Sequence, residues 1–220
     1  MAANGTTDRE QSRQTGPDGT RADARRRRVY DAAVPLFDRF GFKKTTVGDV
    51  CEAAGISKRT FYDLFRDKLD LLHQLVTDVY NERTYEWEQA LDPTLDPLGQ
   101  LYAFLDLYAS VPREHPFLGV LFEDFDLMRA FGQWIDELRI SREDGPLFRI
   151  LREGMETGQF RPMEPRAAMW VVFGLLDTVY FLIPRVMEVP GAMDDPALAQ
   201  EVNRFIVHGL GAIGPEGAQR

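Results

Sequence analysis

Residues 46–65 read TVGDVCEAAGISKRTFYDLF, and this stretch decides the fold. Thr46 carries a hydroxyl suited to capping free helical N–H groups, and Asp49 three residues on completes a capping-box pattern. Val47, Val50, Cys51 and Ala54 then fall on one face of a short helix. Gly55 supplies a residue able to take positive φ at the helix end. Ile56 is apolar and placed to pack under the turn. Ser57 is a second cap, opening a helix that carries Phe61 and Leu64 inward. Two short helices, Thr46–Ala54 and Ser57–Phe65, joined by a tight glycine turn have the spacing of a helix-turn-helix.

Working outward, Val29, Ala33, Leu36, Phe37 and Phe40, with Ala32, form one apolar face of a preceding helix that ends at Gly41. Pro35 predicts a kink within it, because it removes a hydrogen bond and crowds the carbonyl of Asp31. Residues 1–24 are polar with almost nothing to bury, so a disordered tail is expected, with order beginning near Arg25. On the other side, Asp67 with Asp70 opens a fourth helix whose stripe, Leu72, Leu75, Val76, Val79 and Tyr80, continues toward Trp87. Past a Pro-containing break at 92–97, helical spacing resumes through Leu101 to Tyr108 and again across 117–140, 146–157, 166–186 and 196–210. Pro112, Pro116, Pro146, Pro162, Pro165 and Pro196 sit where helices are expected to start or stop. No segment alternates with period two, so the fold class is all-α.

The chain has 220 residues and a formal charge of −9, but the charge is unevenly placed. Residues 21–70 hold 12 Lys and Arg against 8 Asp and Glu, while the rest holds 14 against 27. A basic segment of this kind suits a polyanion, and an acidic remainder discourages nonspecific sticking. Lys58 and Arg59 occupy the first turn of the third helix, where the partial positive charge of a helix N-terminus disfavours cations. Anionic DNA in contact would reverse that sign. At the third position after the cap, where a capping box takes Glu or Gln, stands Thr60, small enough to approach a phosphate or a base edge.

The run GFKKTTVGDVCEAAGISKRTFYDLFRDKLDLL, residues 41–72, resembles the DNA-binding module of the TetR family of regulators, a likeness covering Asp23 to Arg83. Its marks are the glycine ending helix one, the Thr45-Thr46 pair, Gly55, the Thr60-Phe61-Tyr62 triplet, Phe65, and Lys68 followed by Leu71-Leu72. The resemblance implies that Thr45, Thr46, Tyr62 and Lys68 contact phosphates, and that Lys58, Arg59 and Thr60 lie along the groove. Lys43 and Lys44 stand beside the threonine pair; Lys44 is taken as a further DNA contact, while Arg25 to Arg28 read equally as a solvated charge run or a clamp on the backbone. The implied organisation is a tail at 1–22, a helix-turn-helix DNA-binding domain at 23–83, and a helical ligand-binding and dimerisation domain at 84–220. It implies a DNA-binding transcriptional regulator, a repressor released from its operator by a small molecule; an adaptor that has lost DNA binding is the alternative.

In the C-terminal region, Phe104, Tyr108, Phe122, Phe125, Trp134, Phe148, Trp170, Phe173 and Tyr180 read as hydrophobic core or as lining of an effector pocket, since both require burial. Asp177 lies among apolar neighbours and needs a partner, in the fold, at an interface or on a ligand. The segment Arg166–Val186 is apolar around most of its circumference and 196–210 is amphipathic, surfaces that seek a partner. The family resembled pairs its last two helices in a homodimer, which places recognition helices about 34–36 Å apart and calls for a near-palindromic operator. The fourth helix is the expected lever between an apolar or amphipathic effector and DNA. Cys51 is the only cysteine, so no intrachain disulfide forms; it reads as a buried thiol or a redox sensor. His73, His115 and His208 share no ligand spacing, no metal or cofactor is expected, and no nucleophile-elbow or phosphate-loop motif points to an enzyme. The first 20 residues lack a signal-peptide apolar run, and Met169–Ile183 falls short of a bilayer span, so a cytoplasmic protein without a membrane partner is expected.

Overall fold

The computed structural model describes residues 17–187 and 195–211; of the tail expected at 1–22, residues 1–16 lie outside them. Every element among the described residues is helical. The chain divides into two compact units, residues 1–68 and 69–220, earlier than the boundary at 83 that the resemblance implies.

The first unit holds α1 (Pro17–Lys44), α2 (Val47–Ala54) and α3 (Lys58–Leu64). Helix α1 starts eight residues before Arg25, within the stretch composition assigns to a tail. Once a helix is nucleated, each added residue gains a hydrogen bond, so exposed residues such as Arg21, Asp23 and Ala24 extend it without burying anything. The non-helical backbone within α1 falls at Gly41 (φ 76°, ψ 164°) rather than at Pro35. Glycine alone takes that conformation without strain. Thr46 caps α2 with the full reciprocal box, and Gly55 (φ 61°) closes it while the N–H of Ile56 donates to Cys51 O at 3.0 Å. Val29, Ala33, Phe37, Val50, Phe61 and Phe65 are fully or almost fully buried together, with Phe61 and Phe65 rings 5.4 Å apart. Cys51 belongs to this core, and burial pushes its thiol pKa up. That is the direction of an inert thiol, opposite to what redox sensing requires.

Helix α4 (Lys68–Ala90) leads into the second unit, followed by α5 (Pro97–Glu114), α6 (Phe125–Trp134), α7 (Pro146–Glu156), α8 (Pro165–Asp177), α9 (Ile183–Val186) and α10 (Pro196–Gly209). The expected single helix over 117–140 is broken. Pro116–Phe122 is a 3₁₀ segment, Asp124 stops it by accepting from the N–H groups of Asp126 and Leu127, and two three-residue 3₁₀ turns follow α6 at Ile135–Glu137 and Arg139–Ser141. Pro116, Pro146, Pro165 and Pro196 do open their elements, where their missing N–H is needless. Pro112 instead lies within the last turn of α5, where the helix has almost finished and one lost hydrogen bond matters little.

From Pro165 to Val186 the helical rod is continuous for 22 residues, passing through a π turn at Thr178–Leu182, and is long and apolar enough by composition to cross a bilayer. That exceeds the length read from Met169–Ile183. Packing accounts for part of that apolarity: Met169, Val172, Phe173 and Leu176 are buried, α8 contacts α7 and α10, and Trp87, Phe104, Leu105 and Tyr108 build the adjoining core, while Val171 and Val186 stay exposed.

Candidate nucleic-acid interface and effector cavity

Helix α3 presents one buried and one solvent-facing side. Phe61 is buried, whereas Lys58, Arg59 and Tyr62 are exposed and Thr60 half-exposed. Ser57 holds the helix start: its hydroxyl accepts from the N–H of Thr60 at 3.1 Å and lies 2.9 Å from the Thr60 hydroxyl. A Ser–Thr pair therefore occupies the place of a capping box, and that first turn holds two cations and no carboxylate. Tyr62 packs edge-on against Phe61 at 5.4 Å, which directs its phenol outward. Thr46 is exposed at the start of α2. Its hydroxyl and backbone N–H both donate to Asp49 Oδ2 at 2.8 Å, and these bonds, the backbone one foremost, hold the Asp49 carboxyl below its usual pKa.

Two of the seven positions assigned to DNA by resemblance turn inward. Thr45 is 2% exposed, and its hydroxyl donates to Gly41 O at 2.9 Å and Leu36 O at 3.2 Å. A phosphate has no path to that oxygen, so Thr45 seals the end of α1 and Thr46 is the surface threonine. Lys68 Nζ donates to Phe42 O and Thr45 O at 2.5 Å each and sits 4.1 Å from the centre of the Phe42 ring. Partial burial lowers its pKa, opposed by the charge of Asp49. An ammonium has three donors, and two of these are committed to orphan carbonyls past the Gly41 break. Arg28, in the basic run, donates to Ala54 O at 2.6 Å, at the C-terminal end of α2. Lys44 is exposed.

The second unit holds a small cavity of about 20 Å³ lined by Tyr80, Tyr108, Phe131, Trp170, Phe173 and Asp177, with residues of the two 3₁₀ turns. Phe104 and Tyr180 pack against Tyr108 at 6.3 Å but do not line it. Four other candidates lie elsewhere. Phe125 is 75% exposed, because it occupies the first turn of α6 just past its cap. Phe122 stacks on Phe181 at 5.7 Å, Trp134 stacks on His73 at 4.6 Å, and Phe148 lies 6.0 Å from the Arg152 guanidinium. Tyr80, by contrast, joins the cavity from the stripe of α4. Its place in the apolar pattern was readable in the sequence, but its role was not, since periodicity gives burial and not what faces the ring.

Asp177 Oδ1 accepts a hydrogen bond from Tyr108 Oη. Burial raises the carboxyl pKa from 3.8 to about 6, against the opposing effect of that bond, and the phenols of Tyr80 and Tyr108 are pushed well up, chiefly by burial and next by the charge of Asp177. Between the two Asp177 values the folded chain keeps a proton that the unfolded chain has released. Stability contributed by this group is therefore full below about pH 4 and is lost as pH rises through about 6, by at most about 1.4 kcal/mol per pH unit. The stability of the native chain minus that of Asp177→Asn is expected to fall between about pH 4 and about pH 6 in urea titrations. Parallel curves would show the carboxyl to be solvated.

Comparison with known proteins agrees with this architecture. Residues 29–75 match the family model for bacterial regulatory proteins, tetR family. The HTH-type transcriptional regulator YhgD of Bacillus subtilis is 22% identical over 191 residues, covering 86% of this chain and 97% of the relative. The HTH-type transcriptional repressor KstR2 of Mycolicibacterium smegmatis is 26% identical over 141 residues, 63% of this chain and 69% of the relative. Among solved structures, the transcriptional regulator FadR from Bacillus subtilis in complex with stearoyl-CoA superposes with a TM-score of 0.68 at 19% identity, covering 83% of this chain and 98% of that one. With the helix-turn-helix, its cationic first turn and the matching family model in one place, residues 29–75 form a DNA-binding domain of the tetR family type, and the chain is a DNA-binding transcriptional regulator.

Proposed function

We propose that two copies of the chain bind a near-palindromic operator in the cytoplasm as a repressor, with Lys44, Thr46, Lys58, Arg59, Thr60 and Tyr62 of each copy facing DNA. An apolar or amphipathic small molecule held by the second unit then weakens that complex. The observation that carries the reading is the outward presentation of Lys58, Arg59 and Tyr62 on a helix whose other side is core. Phosphate contacts fix position and base contacts specify sequence; Lys44, Thr46 and Tyr62 suit the first role and Lys58, Arg59 and Thr60 the second.

Pairing is supported by a groove of about 300 Å³ between α8 and α10, lined by Ala167, Val171, Leu175, Phe205 and Ile206 among others. Val171 and Phe205 are 63% and 68% exposed, an apolar surface of the kind that a symmetric copy covers. Release by a ligand is supported by the cavity at Asp177 and by a neighbour of the same fold bound to stearoyl-CoA. Linkage requires only that the ligand prefer a conformation with lower operator affinity.

Selection of genomic fragments with the purified chain, followed by footprinting, tests the reading. Two protected half-sites about 34–36 Å apart are expected, and the variant Val171→Glu with Phe205→Glu should run as a monomer and lose most operator affinity. Failure to retain any DNA would favour the adaptor alternative, and a single protected half-site would remove the dimer.

A further inference from the structure

We propose that the small molecule this regulator senses carries a positive charge, an ammonium-type group received by the Asp177 carboxylate inside a ring of aromatic faces. The inference rests on the reading that the second unit holds an effector, and it names that effector's chemistry.

A carboxylate offers about four lone-pair sites. Tyr108 meets one of those on Asp177, and among the described residues lining the cavity there is no Lys, Arg or His. An isolated buried anion is unfavourable unless paired, so the site is short of a cation. What surrounds it fits one. Tyr80 and Phe131 rings lie 6.0 Å apart, Tyr108 and Phe173 6.1 Å, Trp170 and Phe173 6.5 Å, and the negative faces of such rings attract alkylammonium groups. An anionic ligand would meet both the carboxylate and those ring faces with the wrong sign. A neutral one would leave the Asp177 carboxylate without a counter-charge.

The backbone around Asp177 also departs from regular helix. The residue ends α8 and immediately precedes the π turn Thr178–Leu182, a geometry concentrated at functional sites. A further part of the lining, Ile135, Ile140 and Ser141, comes from the two 3₁₀ turns, with Leu138 between them. The bonds that close those turns run within residues 135–141, from the N–H groups of Leu138 and Ser141 and from the Ser141 hydroxyl, so this wall can shift as a unit when a space of about 20 Å³ widens around a ligand.

The probes are octyltrimethylammonium, octanol and octanoate, titrated by calorimetry into the full chain and into Asp177→Asn, with operator affinity measured in parallel. The cation is expected to bind saturably to the native chain, at least about tenfold more weakly to Asp177→Asn, and to release a proton near pH 6 as the carboxyl ionises. Octanol should bind both chains alike and release none. Should Asp177→Asn fail to fold, proton release by the native chain alone decides. Absence of saturable cation binding, equal binding by octanol or octanoate, or binding without proton release would overturn the inference. If octanol or octanoate frees the operator instead, the effector reading stands while the charge falls. If the cation binds through Asp177 and operator affinity does not change, the cation site stands and the effector reading falls.

Discussion

Replacing Lys58 and Arg59 together by alanine is expected to lower operator affinity by at least about thirtyfold, since each base-edge or phosphate contact of such side chains contributes about 1–3 kcal/mol. Both side chains are exposed, so no core contact is lost. Both cations stand in the first turn of α3 beside N–H groups that already carry partial positive charge, and their removal leaves the isolated protein as stable as before or slightly more so. Affinity and stability therefore move in opposite directions, which separates a DNA contact from a folding defect. Binding measured across a salt series adds a second distinction: each lost phosphate contact reduces the slope of log K against log salt by about 0.9, whereas a lost base contact leaves the slope in place. Unchanged affinity in the double variant would remove this turn from DNA recognition.

Lys68→Met is expected to act through the fold. Methionine preserves most of the stem lying over the Phe42 ring but supplies no donors, leaving the carbonyls of Phe42 and Thr45 without their charged partner. Hydrogen bonds from charged groups contribute about 1.5–3 kcal/mol each, and partial access to water softens the loss, so about 2–4 kcal/mol is expected in urea unfolding. Lys44→Ala at the exposed end of α1 should instead leave stability within about 0.5 kcal/mol while reducing the salt slope. An unfolding curve for Lys68→Met that overlays the native one would show that the segment past Gly41 does not depend on the lysine.

The contrast between those two lysines shows where sequence reading reached its limit. Signals that act over three or four residues were legible: Thr46 with Asp49, Gly55 at positive φ and Ser57 fixed the limits of α2 and α3 closely. Lys68 and Thr45 matched a motif by residue type, but what their polar atoms do depends on carbonyls 26 and 23 residues from Lys68 and on Leu36 and Gly41 for Thr45. Asp177 announced a need for a partner by lying among apolar residues, yet its partner Tyr108 is 69 residues away. The region 117–140 kept helical spacing of apolar residues while Pro116 and the Asp124 cap divided it. Periodicity reports which side faces inward, and it is nearly blind to whether one helix or three carry that side. The aromatic candidates suffered the same ambiguity, and Phe125 shows its extreme, a large apolar residue at a helix start with most of its surface in water.

The π turn at Thr178–Leu182 winds more residues into its turn than an α-helix does, which makes it the place where the rod can lose a residue. A regular α-helix advances about 100° per residue and a π turn less, so deleting one residue between 178 and 182 would restore ordinary winding and leave everything from Ile183 onward near its present azimuth. Arg185 would still reach toward Glu123, now 2.5 Å away, and the exposed pair Val186 and Met187 would keep their side of the rod. The same deletion in the regular part of α8 would swing that end by about 100°, so only here is a change of chain length absorbed without turning the surface the rod displays.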